Sequence, residues 1–178
     1  MNTITIDIVL DRLNTREVLR ALLHSILFHR LFGTIKPQTF EILDVTMPGV
    51  SDPEMERLVE DKVAAFWKAM ENGANKRGSI TVTLSGKQQR KTWIGYTYEE
   101  EVPWEQWVIN VEIRQPKTEP ERSKFNQNLA ATLTKSLTTM LTHTASEKGR
   151  AAVPPITNQD VSPFPLNISV TVGDVEVG

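Results

Sequence analysis

Trp107-Val108-Ile109-Asn110-Val111-Glu112-Ile113-Arg114 sets Trp107, Ile109, Val111 and Ile113 on one side and Asn110, Glu112 and Arg114 on the other. A period of two, with one apolar and one wet face, is the pattern of an antiparallel strand lying on a core. Upstream, Ile80, Val82 and Leu84 alternate with Thr81 and Thr83 and predict a strand of the same kind. Earlier still, Ile4, Ile6, Ile8 and Leu10, interleaved with Thr5, Asp7 and Val9, predict the first strand. A short strand is predicted over residues 40–47, and a last one carries Leu166, Ile168, Val170 and Val172.

Between these strands the apolar period changes to that of helices. Asn14-Thr15-Arg16-Glu17 has the spacing of a helix cap, and Val18, Leu19, Leu22, Leu23, Ile26, Leu27 and Leu31 follow it until Gly33. Ser51-Asp52-Pro53-Glu54 supplies a capping side chain and a proline at the first helical position, ahead of Met55, Leu58, Val59, Val63, Phe66, Trp67 and Met70. Gly73 and Gly78 bracket the exit from that helix. Thr118-Glu119-Pro120-Glu121 opens a third, with Phe125, Leu129, Leu133, Leu137, Met140 and Leu141 as its inner stripe. Residues 148–165, with four prolines, read as a loop. The order β-α-β-α-β-β-α-β predicts an α+β fold, an antiparallel sheet packed with three main helices, in one domain over residues 1–178. A chain of 178 residues with 39% hydrophobic and 24% charged residues can bury such a core.

Composition narrows the partners. A formal charge of −2 and the lack of any dense Lys/Arg block leave no footprint for a nucleic-acid backbone. Zero cysteines exclude a disulfide framework, thiolate metal sites and a Cys nucleophile, and suit a reducing, cytosolic compartment. The most apolar later stretch, residues 18–32, is interrupted by Arg20, His24, His29 and Arg30, against a membrane span. The chain is expected to be soluble, with no stable membrane insertion. No phosphate loop, nucleophile elbow, dinucleotide fingerprint or zinc-ligand spacing is present. His24 and His29 are five apart and read as ordinary helix histidines, and Glu99, Glu100 and Glu101 read as a solvated acidic loop. No enzyme and no cofactor are expected.

Two features point to binding instead. Three of four tryptophans and both tyrosines fall within residues 93–107, interleaved with the acidic run, and aromatics held in water beside charges are candidates for a gripping surface. Of these, Trp104 and Trp107 begin a strand and read as packing residues. On the third helix, Gln127, Asn128, Ala131, Thr134, Thr138 and Thr142 leave the outer face with Lys124 and Lys135 as its main charges. Such a face is covered either by another protein or by the chain's own sheet or tail. Arg12, Arg16 and Arg20, at helical spacing, read as a solvated face or as a contact for anionic lipid.

Three segments carry a resemblance. Leu22-Leu23-His24-Ser25-Ile26-Leu27-Phe28-His29-Arg30, Val102-Pro103-Trp104-Glu105-Gln106-Trp107 and Asp160-Val161-Ser162-Pro163-Phe164-Pro165-Leu166-Asn167-Ile168-Ser169 resemble, in the same order, the autophagy-related protein 101 family of HORMA-domain proteins. The resemblance implies a HORMA-like domain acting as a non-enzymatic scaffold in the autophagy-initiation kinase complex. It implies a cytoplasmic protein recruited to the preautophagosomal structure. The partner it implies is the HORMA domain of autophagy-related protein 13, bound and stabilised in a heterodimer through the third helix, at Lys124, Gln127, Asn128, Ala131, Thr134, Lys135 and Thr138. Wrapping of a C-terminal segment around a peptide, as in other HORMA proteins, is disfavoured because about thirty residues follow the third helix. The family also carries a protruding Trp-Pro-Phe loop that recruits downstream autophagy factors. Here the corresponding stretch reads Trp93-Ile94-Gly95-Tyr96, so the loop site is Trp93, Ile94, Gly95, Tyr96 and Tyr98, with Tyr96 the first choice and Tyr98 the second for the missing Phe. The alternative is a peripheral membrane adaptor using these aromatics and the helix arginines.

Overall fold

A computed structural model describes residues 1–72, 75–157 and 163–178. Its elements are β1 (Asn2–Leu10), α1 (Thr15–Arg30), β2 (Pro37–Ile42), β3 (Val45–Val50), α2 (Pro53–Asn72), β4 (Arg77–Lys91), β5 (Thr97–Ile113), α3 (Glu119–Ala145), α4 (Glu147–Ala151), β6 (Leu166–Val172) and β7 (Val175–Glu176). The α+β class and the three main helices are those expected for a HORMA-like domain. The sheet, however, is mixed. Its order is β1-β5-β4-β6-β7, and β1 runs parallel to β5 while the other pairs are antiparallel. Alternation alone reports a half-buried strand and is blind to the direction of its neighbour.

One face of the sheet is apolar. Ile6, Ile8 and Leu10 of β1, Trp107, Ile109 and Val111 of β5, Ile80 and Val82 of β4 and Ile168 and Val170 of β6 are all buried in one continuous core. Against them lies α1, whose Val18, Leu19, Ala21, Leu22, Leu23, Ile26 and Leu27 are buried, so this helix is enclosed rather than merely amphipathic. It is flanked by α2, by α3 and by a β2–β3 hairpin. That hairpin replaces the single strand expected over residues 40–47. It turns at Leu43 and Asp44, both with positive φ (48° and 64°), without the Asn-Gly or Asp-Gly pair that announces such a turn in sequence. Ser25 Oγ donates to the Pro48 carbonyl (2.7 Å) and fastens the hairpin to α1.

Helix ends depart from expectation in instructive ways. Asn14 occupies the cap position of α1, yet its side chain accepts from the Asp11 N–H (3.0 Å) while Asp11 Oδ1 accepts from the Asn14 N–H (2.8 Å), so the pair closes the preceding turn instead of capping the helix. α1 ends at Arg30, and Leu31 is extended, two residues before Gly33. The α2 start is as expected, with Asp52 Oδ2 accepting from the Met55 N–H (3.1 Å). Thr118 Oγ1 caps α3 through the Glu121 N–H (3.2 Å). Residues 147–151 form α4, in place of the loop expected over 148–151, because Ser146 Oγ accepts from the Gly149 N–H and starts a new turn. The short β7 carried no signal of its own. Gly73, expected at the α2 exit, and residues 160–162 of the third resembling segment lie outside the described residues.

Candidate interaction surfaces

The acidic run is not a loop but part of a strand. β4 pairs with β6 only from Gly78 to Leu84, and β5 pairs with β1 only from Glu105 onward. Ser85, whose N–H donates to the Pro165 carbonyl (3.0 Å), and Gly86 are still buried; from Lys87 on β4 and β5 continue alone, with Lys87 opposite Glu101, Gln89 opposite Glu99 and Arg90 bonded to Glu100 at 2.7 Å. Opposite charges facing across the ladder hold together a ribbon that has no core beneath it. At about 3.3 Å per residue, the five exposed ladder positions from Lys87 to Lys91 project it roughly 15 Å from the sheet.

The ribbon's tip presents the expected aromatics. The Gly95 N–H donates to the Thr92 carbonyl (3.0 Å), the Thr92 N–H donates to the Tyr96 carbonyl (2.8 Å), and Gly95 takes φ 93°, which only glycine adopts without strain. This tight turn places Trp93 and Ile94 at its corners. Trp93 is 97% exposed and Tyr96 71%, with Ile94 also exposed. Tyr98 is exposed too, but lies one step down the ribbon in β5, opposite Arg90.

At the ribbon's base the ladder slips. Leu84 faces Glu105 and Ser85 faces Pro103, so Trp104 is the extra residue of a β-bulge. Proline, which gives the ladder no N–H, is tolerated at such a site. The bulge buries both Trp104 and its neighbour Glu105. Trp104 packs on Phe164 (5.4 Å between centroids) in a small second core with Leu84, Phe32, Val153 and Leu166. Trp104 and Trp107 are thus packing residues, although within the strand rather than at its start.

Glu105 sits on the core face of β5, in phase with Trp107 and Ile109, and is fully buried. Arg30, 3% exposed, donates to it twice, through Nε to Oε2 (2.6 Å) and Nη2 to Oε1 (2.8 Å). Trp107 Nε1 donates to Oε2 (2.9 Å), His143 Nε2 lies 2.5 Å from Oε1, and Arg30 Nη2 also reaches the Gly149 carbonyl (3.0 Å). Burial alone would raise the Glu105 pKa, but the hydrogen bonds from Arg30, His143 and Trp107 together outweigh it and hold the carboxyl below its usual range. The network joins α1, β5, α3 and α4, and with Phe164 beside Trp104 it brings all three resembling segments to one place. Sequence reasoning missed it, although a glutamate in phase with core positions was a signal that a buried cation had to exist.

The third helix carries an uncovered stripe. Lys124, Gln127, Asn128, Ala131, Thr134, Lys135, Thr138 and Thr142 are all exposed, so neither the sheet nor the described part of the tail covers them. Leu141, expected inside, is 61% exposed and joins this face, because Ser136 and Met140 take the inward positions instead. The stripe runs roughly 27 Å at 1.5 Å per residue. Thr138 Oγ1 donates to the Thr134 carbonyl (3.1 Å), and Thr132, Ser136 and Thr144 make the same bond one turn back, so these hydroxyls are already partnered. Beside the helix, a groove of about 670 Å³ between Asn128 and the Asp7–Asn110 pair extends the surface onto the sheet.

His24 is buried, as expected for a helix histidine. Its Nδ1 accepts from the Val50 N–H (3.3 Å), and burial, helped by the nearby Arg20 charge, lowers its pKa and keeps it neutral. Arg16 and Arg20 lie over the rings of Trp67 and Phe40. Arg12 and Arg16 flank the end of the sheet where Leu10 pairs with Ile113, opposite the ribbon, so the arginines and the aromatic tip do not form one patch. Among the described residues no helix is long and apolar enough to cross a membrane, and no cluster of metal-ligating side chains occurs.

Known proteins give this geometry its context. A model of the family described as Autophagy-related protein 101 matches residues 7–160. The Autophagy-related protein 101 of Schizosaccharomyces pombe is 33% identical over 112 residues, 63% of this chain and 60% of the relative. That of Arabidopsis thaliana is 30% identical over 126 residues, 69% of this chain and 58% of the relative, and the human protein is 26% identical over 132 residues, covering 66% and 60%. The chain thus spans about three fifths of the length of these relatives. With most of its length matched by the family model and the three sequence segments gathered around one buried network, the chain belongs to the autophagy-related protein 101 family.

Proposed function

We propose that residues 1–178 act as one HORMA domain that is a non-enzymatic scaffold of the autophagy-initiation kinase complex. Its α3 stripe pairs with the HORMA domain of autophagy-related protein 13 and stabilises it. The ribbon tip recruits downstream autophagy factors, with Trp93 and Tyr96 as the gripping pair and Ile94 between them. The protein works in the cytoplasm and at the preautophagosomal structure.

The observation that carries this reading is the uncovered α3 stripe. A helix face with two lysines as its main charges, an exposed leucine and small neutral side chains, of which the Thr138 hydroxyl is already bonded to the Thr134 carbonyl, costs little to dehydrate, which is the character of a surface made to be buried in a partner. Ala131 lies at its centre, where a bulky charge would have to be dehydrated or would hold the partner away. Ala131→Arg is therefore expected to weaken pairing by more than about 2 kcal/mol, roughly a thirtyfold loss in affinity or more. Calorimetric titration against the partner's HORMA domain measures this, and unchanged affinity removes α3 from the interface.

A further inference from the structure

At the end of the sheet away from the ribbon, α2, Asn75 and Lys76 just before β4, Arg12 just after β1 and the end of β5 line a cleft of about 410 Å³. Cavities of about 300–1,000 Å³ are the size in which proteins hold small ligands or single anchoring side chains. The floor is apolar, formed by buried Met70 and half-buried Trp67 and Ile113, and the Arg16 guanidinium braces the Trp67 ring from 5.9 Å. The rim is charged. Glu112 is already engaged by Arg114 (3.1 Å) and Arg77 (3.6 Å). This leaves two cations, Arg12 and Lys76, and one carboxylate, Glu71, as the exposed rim charges without an ion pair among the described residues, an excess of one positive charge.

We propose that this cleft is a third docking surface, distinct from α3 and from the ribbon, for an acidic peptide segment that inserts one bulky apolar side chain. The apolar floor supplies the anchor pocket that dominates binding energy in small interfaces. Arg12 and Lys76 supply the sign: they attract carboxylates flanking the anchor and repel a basic segment. Neither the α3 stripe nor the ribbon tip lines the cleft, so occupation leaves both available.

The test is a titration of the isotope-labelled full chain, followed by nuclear magnetic resonance, with a synthetic Glu-Asp-Glu-Phe-Asp-Glu peptide. Saturable shifts at the Trp67 indole and at the Lys76 and Ile113 amides are expected. Binding should weaken about tenfold or more when alanine replaces the phenylalanine, when lysines replace the acids, or when the chain carries Arg12→Glu with Lys76→Glu. Both substituted positions are exposed, and the peptide series tests the idea even if that variant folds poorly. Equal binding of the alanine or lysine peptide, or shifts confined to α3 or the ribbon, overturns the proposal. So does the appearance of the same shifts on concentrating the chain alone with a dimer mass in light scattering, which would make a second copy the occupant.

Discussion

Changing Glu105 to Gln keeps the shape of the side chain but removes the charge that two buried Arg30 donors address at 2.6 and 2.8 Å. Arg30 is 3% exposed and has no other carboxylate among the described residues, so the variant leaves a dehydrated cation facing, among them, the Gly149 carbonyl and the Trp104 ring, 5.4 Å away. Removing one partner of a buried pair costs about 3–5 kcal/mol, because the survivor keeps its desolvation penalty. At roughly 2–4 °C per kcal/mol for a chain of this size, the melting temperature should fall by roughly 6–20 °C. Arg30→Met should cost a similar amount, leaving the carboxylate to Trp107 and His143. The double variant Arg30→Met with Glu105→Met should cost less than either single change, since no charge remains buried alone. Urea denaturation of the unsubstituted chain, Arg30→Met, Glu105→Met and the double variant closes the cycle and gives the coupling energy directly. Single changes under about 1 kcal/mol, or a double variant equal to their sum, would refute the claim that this pair is locked in a dry site.

Other consequences are open to measurement. Trp93→Ala with Tyr96→Ala removes side chains that touch no core, so melting temperature and heterodimer affinity should be unchanged while autophagic flux in cells carrying the double variant is blocked; normal flux contradicts the recruiting role of the tip. Acid should destabilise the fold in two stages, read by urea titrations across pH. His24 has a lowered folded pKa, so the unfolded chain takes up a proton first and stability falls as pH drops below about 6.5. Glu105, also lowered, contributes stability above its unfolded value near 4.5 that is lost as pH falls through the folded pKa. His24→Gln should flatten the first stage, and a variant with an unchanged slope between pH 7 and 5 contradicts that assignment.

Much of the architecture was legible because burial imposes a period. The strands carrying Ile6, Ile80, Ile109 and Ile168 and the stripes of α1 and α2 all follow from which side chains must leave water. What was illegible follows from features without a period. The Leu43–Asp44 turn lacks glycine, so two strands read as one. The ribbon has no buried face, hence no apolar alternation, and its ladder is held by charges that in sequence look like a solvated loop. The bulge at Trp104 carries no signature in the sequence, and it buries Trp104 beside Glu105, two neighbours that simple alternation would put on opposite faces. On α3, Leu141 continues the apolar run but stands one residue, about 100°, beyond the buried Met140 and so turns away from the inner face marked by Leu129, Leu133, Ser136 and Met140. The aromatic tip and the charge-poor α3 face were both readable as residue types, and the structure adds that both stand clear of the chain's own core.

The central claim is that this chain is a heterodimerising scaffold, and the most direct test is the solution mass. Size-exclusion chromatography with light scattering, on the chain mixed with the HORMA domain of autophagy-related protein 13, should give a stable one-to-one species that is lost with Ala131→Arg. Two separate peaks at micromolar concentration would contradict the scaffold account, leaving the fold as described but its α3 stripe without the partner assigned to it.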